Sequence, residues 1–191
     1  MSIDKTALIF ATAAHAAIGQ KRKYTGDDYI VHPSRVAQCV KQFGGNDDMV
    51  AAAYLHDVVE DTQVDIDTIT GLFGSVVADL VNDLTDVSVP ENGNRAVRKE
   101  IDRQHLVQAS ADAQFIKCAD IIDNSWDISD NDPSFWKIYQ QEMKLLLDAM
   151  TKVKDSAIWI AAVKSVNKGC LLYTSDAADD SLRVDLGGRR I

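Results

Sequence analysis

Apolar residues recur at three- and four-residue intervals along almost the whole chain, and no convincing stretch alternates apolar with polar. A period near 3.6 builds one face of a helix, whereas a half-buried strand needs a period of 2. The pattern predicts an all-α fold, an irregular multi-helix bundle. The punctuation agrees. The Ala-rich segment 4–19, "DKTALIFATAAHAAIG", ends at a glycine. Pro33 stands where a helix can start, and Gly44–Gly45 where it stops. Asn46 or Asp47 can cap "NDDMVAAAYLHDVVED". "DIDTITGLFG", "SVVADLVNDLTDV", "RAVRKEIDRQHLVQAS" and "ADAQFIKCADIIDNSWDI" continue in the same style. Asp132 and Pro133 open a long helix, and a last one covers roughly residues 155–167.

Composition narrows the function classes. The 191 residues suit one domain, and a hydrophobic share of 46% is enough for a real core. A formal charge of −9 disfavours a nucleic-acid binder, which would carry a basic face. Two local basic clusters, "QKRKYTG" at 20–26 and "NRAVRKE" at 94–100, could still hold the phosphates of a small anionic substrate. Cys39, Cys118 and Cys170 show no CxxC spacing, which argues against a disulfide scaffold and a cysteine zinc site. No apolar run is long enough to cross a bilayer, and "MSIDKTALIF" lacks the basic start of a signal peptide. A soluble cytoplasmic protein with no membrane or nucleic-acid partner is expected. Nothing in the sequence fixes an oligomeric state.

The end of the chain breaks the pattern. "CLLYTSDAAD" matches the translation of one reading frame of a common transposase-based sequencing adapter. Residues 170–191 are therefore expected to be a non-native tail and residues 1–169 the domain. The tail carries four acids and three arginines, so the charge argument stands without it.

Chemistry concentrates in "YLHDVVEDT", residues 54–62. Acidic side chains near a helix C-terminus face the negative end of the helix dipole, which invites a compensating cation. At about 100° per residue, His56, Asp57, Glu60 and Asp61 share one sector of a continuous helix, opposite Val58 and Val59. A solvated acidic face would give the same pattern, but two further residues favour a site. His32 precedes Pro33 at a helix start. Asp120 lies in the apolar segment "FIKCADII", where a buried carboxylate needs a partner. Asn124 shares its face, with Lys117 close by. His32, His56, Asp57 and Asp120 make a mixed nitrogen and oxygen donor set suited to Mn²⁺, Fe²⁺ or Zn²⁺, with water completing the coordination. Arg95, Arg98 and Lys99 lie on one helical face, which is either solvated or meets substrate phosphates. His15 reads as a packed or hydrogen-bonded histidine rather than a ligand, and His105 has no evident partner.

His32, then His56-Asp57, then Asp120 resembles the signature of HD-domain metal-dependent phosphohydrolases. The longer stretches "QKRKYTGDDYIVHPSRVA", "AAAYLHDVVEDT" and "IKCADIIDN" are similar to the hydrolase domain of the RelA/SpoT alarmone enzymes, over about residues 8–165. No room remains for a synthetase domain, so the resemblance points to the small alarmone hydrolases of the Mesh type. It implies an HD-type helical bundle that uses Mn²⁺ to remove the 3′-pyrophosphate of guanosine tetra- or pentaphosphate, (p)ppGpp. By the same resemblance His32, His56, Asp57 and Asp120 bind the metal, and Glu60 and Asp61 form the catalytic pair. Arg22, Lys23 and Asn124 contact the nucleotide. Ser125-Trp126-Asp127 departs from the family pattern after the Asn, and Asp27-Asp28 replaces the residues before Tyr29, where a proline is common. The metal motif alone leaves two alternatives: an HD phosphohydrolase for a 5′-nucleotide or NADPH, and a nucleotide-binding module without turnover.

Overall fold

The computed structural model describes residues 2–168; the adapter-like tail lies outside the described residues. Among the described residues ten α-helices run in chain order: α1 (Ile3–Ala17), α2 (Val31–Gln42), α3 (Asp47–Leu55), α4 (Val58–Asp61), α5 (Ile66–Phe73), α6 (Ser75–Leu84), α7 (Arg95–Gln108), α8 (Ala111–Asn131), α9 (Pro133–Ala149) and α10 (Ala157–Lys168). A 3-10 turn, Pro90–Asn92, precedes α7. Among the described residues there is no strand, only an isolated bridge between Lys21 and Asp28. The all-α expectation is met.

Local chemistry sets the helix starts. Asn46 accepts from the Met49 amide, Ser110 from Ala113 and Asp132 from Phe135. Each such cap contributes about 1 kcal/mol. Asn46, not Asp47, is the cap of α3. Between α2 and α3 the chain turns tightly. Gly44 takes a φ of +89°, and a Cβ on Gly45 would sit 2.5 Å from a Val40 methyl. Glycine is required at both positions.

The bundle is organised around α3 and α8. The α3 helix packs against α1, α2 and α6, and its Ala51, Ala52 and Ala53 are completely buried. Such small side chains let neighbouring helices approach closely. The α8 helix packs against α2, α6, α9 and α10 and buries Ile116, Cys118, Ala119 and Ile121. Each large apolar side chain of this core, Leu55, Ile116 and Ile121 among them, contributes about 1.5–3 kcal/mol of transfer free energy. Asp120 is enclosed by this packing, 5% exposed.

One expectation is corrected. The segment 47–61 is not a continuous helix: α3 ends at Leu55, His56 and Asp57 form a turn, and α4 begins at Val58. The Ala53 carbonyl, which a continuous helix assigns to the Asp57 amide, receives the His56 Nδ1–H at 2.8 Å. The side chain thereby competes for a backbone acceptor. Val58, the first residue of α4, lies in the core, and Glu60 and Asp61 meet different neighbours.

Candidate metal centre and active site

Four side chains from three elements converge on one point. His32 comes from the first turn of α2, His56 and Asp57 from the turn after α3, and Asp120 from the middle of α8. Pro33 fits beside His32 because the first turn of a helix does not need its missing N–H. One ligand atom each from His32, His56 and Asp57 lies within 4.8 Å of the other two. Asp120 Oδ1 is 3.2 Å from His32 Nε2 and 3.9 Å from His56 Nε2. Asp57 Oδ2 is 3.6 and 3.1 Å from the same two nitrogens.

The outer faces of these four side chains are held in place. His32 Nδ1 meets Asp123 Oδ2 at 2.7 Å, and His56 Nδ1 meets the Ala53 carbonyl at 2.8 Å. A proton on each Nδ1 turns each Nε2 inward with a lone pair, the usual way a protein prepares a metal-binding histidine. Tyr29 donates to Asp57 Oδ2 at 2.7 Å. Asn124 donates to Asp120 Oδ1 at 2.6 Å, and Lys117 Nζ sits 2.8 Å from Oδ2. His56 Nε2 is buried with no hydrogen-bond partner. An orphaned imidazole nitrogen facing two carboxylates fits a hard-to-borderline divalent cation.

The field at this point calls for positive charge. Burial pulls the His32 imidazole down, but Asp120, Asp123 and Asp57 outweigh it and raise its pKa to about 9. Burial likewise opposes charge on His56, and Asp57 and Asp120 raise it. Burial pushes Asp57 and Asp120 up, yet the facing imidazoles, with Lys117 first for Asp120, hold both below 3.8. Protons on Nε2 and a divalent cation therefore compete for one place. A carboxylate with a depressed pKa contributes stability above 3.8 that is lost as pH falls, and a raised imidazole contributes stability below 6.5 that is lost as pH rises through about 9. In chelator, the melting temperature is expected to peak between these limits and to fall towards the alkaline side. A divalent metal is expected to stabilise most at that alkaline end. At a hundred times its Kd it contributes about 2.7 kcal/mol, or about 5–10 °C for a domain of this size. Thermal melts across pH with and without EDTA measure both effects, and a metal shift that shrinks as pH rises contradicts this account.

Glu60 and Asp61 meet different neighbours. Glu60 faces an open cleft of about 350 Å³ lined also by Asp86, Ser88, Arg95, Arg98, Lys99 and Asp102. Although Glu60 is solvent-accessible, the surrounding protein displaces enough water to push its carboxyl up, and Asp86 and Asp57 raise it further, to about 7. Asp61 turns towards α1 and accepts from Gln20 Nε2 at 2.8 Å. The structure thus brings Arg95, Arg98 and Lys99 beside Glu60. Arg95 is fixed by a two-pronged contact to Glu142 and lies over Phe135, and Lys99 meets Asp86 at 2.6 Å. Arg98 has the Gly93 carbonyl at 3.5 Å as its hydrogen-bond partner.

Arg22, Lys23 and Asn124 are placed differently from one another. Arg22 is nearly buried, pairs with Asp127 and lies over the Tyr29 ring. Lys23 is exposed beside Tyr24, Phe135 and Asp132. Asn124 orients Asp120. His15 is 1% exposed and hydrogen-bonded to Gln20, as expected of a packed histidine. His105 reaches the Asn82 carbonyl at 3.3 Å. Sequence reasoning missed the supporting roles of Tyr29, Asp123 and Gln20. Asp123 was the findable one, since Asp120, Asp123, Asn124 and Asp127 form a polar i, i+3, i+4, i+7 stripe on α8.

No helix among the described residues is long and apolar enough to cross a membrane. The HD domain family matches residues 7–143. A guanosine-3′,5′-bis(diphosphate) 3′-pyrophosphohydrolase, MESH1 of Danio rerio, is 32% identical over 143 residues, 71% of this chain and 77% of that protein. The MESH1 protein of Xenopus tropicalis is 34% identical over the same shares. A probable enzyme of the same name from Synechocystis is 45% identical over 82 residues, 43% of this chain. The chain spans only 10% of that long relative and 19% of its Mycoplasma pneumoniae counterpart. The solved structure of a metazoan SpoT ortholog, described as hydrolysing ppGpp, superposes with a TM-score of 0.74 at 26% identity, covering 87% of this chain and 94% of that one. The chain belongs to the HD domain family, among the relatives of the MESH1 proteins.

Proposed function

We propose that the chain is a cytoplasmic, Mn²⁺-dependent 3′-pyrophosphohydrolase of (p)ppGpp that yields GDP or GTP and pyrophosphate. The observation that carries this reading is adjacency: a donor cluster fit for a divalent cation opens beside a cleft holding Glu60 and three basic side chains. The likeness to the MESH1 proteins over most of their length supplies the nucleotide. The net charge of −9 and the narrow basic cleft favour a small anionic substrate over a nucleic acid or a membrane.

In this reading His32, His56, Asp57 and Asp120 hold the cation. When bound, it polarises a phosphate oxygen and lowers the pKa of a water beside it. Glu60, with a pKa of about 7, is matched to accept a proton from the attacking water near neutral pH. Asp61 orients that water from the other side. Water adds to the phosphorus attached to the ribose 3′ oxygen, the P–O bond breaks, the 3′ oxygen takes a proton and pyrophosphate leaves. Arg98 meets the phosphates directly. Arg95 and Lys99 exchange their carboxylate partners for phosphate at little cost, because partly exposed pairs of this kind are worth only about 0–1 kcal/mol. Arg22, Lys23 and Asn124 supply the nucleotide side.

Purified protein with Mn²⁺ is expected to release pyrophosphate and GDP from ppGpp in preference to NADPH or 5′-nucleotides. Hydrolysis of another nucleotide but not of ppGpp overturns the substrate, and binding of ppGpp without release makes the protein a nucleotide-binding module.

A further inference from the structure

Gln20 stands between two side chains that no resemblance or motif connects. Its Oε1 lies 2.7 Å from His15 Nδ1, and its Nε2 lies 2.8 Å from Asp61 Oδ2. A carboxylate only accepts hydrogen bonds, so the amide nitrogen of Gln20 must face Asp61. The amide oxygen then faces His15, which must carry its proton on Nδ1. His15 Nε2 is left as a bare lone pair, and that atom is buried with no partner. A buried polar atom without a partner calls for an explanation. Here it follows from the charge at the far end of the relay: Asp61 sets the amide, and the amide sets the tautomer.

The backbone prepares this arrangement. Gly19, with a φ of +66°, folds the chain back after α1, and the Gln20 amide donates to the His15 carbonyl at 3.1 Å. Gln20 is thereby stationed over the last turn of the helix that carries His15. The His15 ring is also 4.7 Å from the Tyr29 ring, whose hydroxyl holds Asp57. The relay is thus anchored in the buried interior on one side and ends on a solvent-facing carboxylate on the other.

We propose that His15 and Gln20 are positioning residues that fix Asp61 by its Oδ2 and present Oδ1 to the attacking water. This rests on the role given above to Asp61. Gln20→Leu and His15→Phe are expected to lower kcat by about 10–100-fold, as the loss of an outer partner of a functional group usually does. For Gln20→Leu, KM and the Mn²⁺ titration are expected to stay within about two-fold of the wild type, since Gln20 touches neither the cation cluster nor the basic cleft. The decisive comparison is a cycle with Asp61→Asn: Gln20→Leu should cost nothing further in that background. An equal loss in both backgrounds overturns the proposal.

A second measurement does not depend on turnover. In the full chain loaded with diamagnetic Zn²⁺, ¹⁵N spectra of labelled histidine should show His15 protonated on Nδ1. Asp61→Leu should allow the other tautomer. His15 protonated on Nε2 in the wild type overturns the relay whatever the substrate. A correct tautomer in a protein that spares ppGpp overturns the substrate alone, and the cycle is then run on the nucleotide that is hydrolysed. Gln20 is half-exposed, outside the buried core, so Gln20→Leu is expected to fold and the test survives if His15→Phe does not.

Discussion

Asp57→Ala is expected to abolish both divalent metal binding and hydrolysis. Asp57 Oδ2 faces both inward imidazole nitrogens, at 3.1 and 3.6 Å, and is the carboxylate that completes the three-donor cluster. Alanine removes one of the two carboxylates that face the imidazole nitrogens, and with it half of the negative charge available to a divalent ion there. A cation that stabilises a phosphoryl transition state contributes several kcal/mol. At about 1.4 kcal/mol per tenfold, its loss lowers kcat/KM by about a thousand-fold or more. The change is also felt in the apo protein. The Tyr29 hydroxyl loses its acceptor, and His32 and His56 lose a charge that raised their pKa values. The alkaline fall in apo stability should therefore be smaller in the variant and complete at lower pH. Calorimetric titration with Mn²⁺ and a pyrophosphate-release assay read the two main effects. Wild-type binding by the variant would remove Asp57 from the ligand set.

The sequence exposes the donor types of this centre more readily than their supports. His32, His56, Asp57 and Asp120 announce themselves because imidazoles and carboxylates stand in apolar surroundings that demand a partner. The helices around them are legible for a related reason: Asn46, Ser110 and Asp132 act on amides three residues away, within the reach of local pattern. The supports act at long range. Tyr29 reaches Asp57 across 28 residues, His32 reaches Asp123 across 91, and Gln20 reaches Asp61 across 41. No periodicity encodes such pairs. The break at His56–Asp57 was hidden for another reason. No glycine or proline stands there to mark it, and the turn is accompanied by a side-chain hydrogen bond to Ala53.

Glu60 and Asp61 lie about 100° apart around the axis of α4, so Glu60 faces the basic cleft and Asp61 faces Gln20. In the proposed mechanism the two carboxylates serve one water from two directions. Replacing both with alanine is expected to leave metal binding intact, because neither touches the four donors, and to lower kcat by about 10²–10⁴-fold, the range for a lost general base. Stability is expected to move the other way at alkaline pH. A folded-state pKa of about 7 against an ordinary 4.5 means that the fold disfavours the Glu60 anion. Its contribution is complete below 4.5 and is lost as pH rises through about 7, so above that pH the native site carries a strained charge. Glu60→Ala alone should then melt no lower than the wild type at pH values above 7, while turning over far more slowly. Such a trade marks a residue kept for chemistry rather than for the fold. Paired melts, Mn²⁺ titrations and steady-state rates on the single and double variants test the assignment. A double variant with wild-type kcat would show that other groups move the proton.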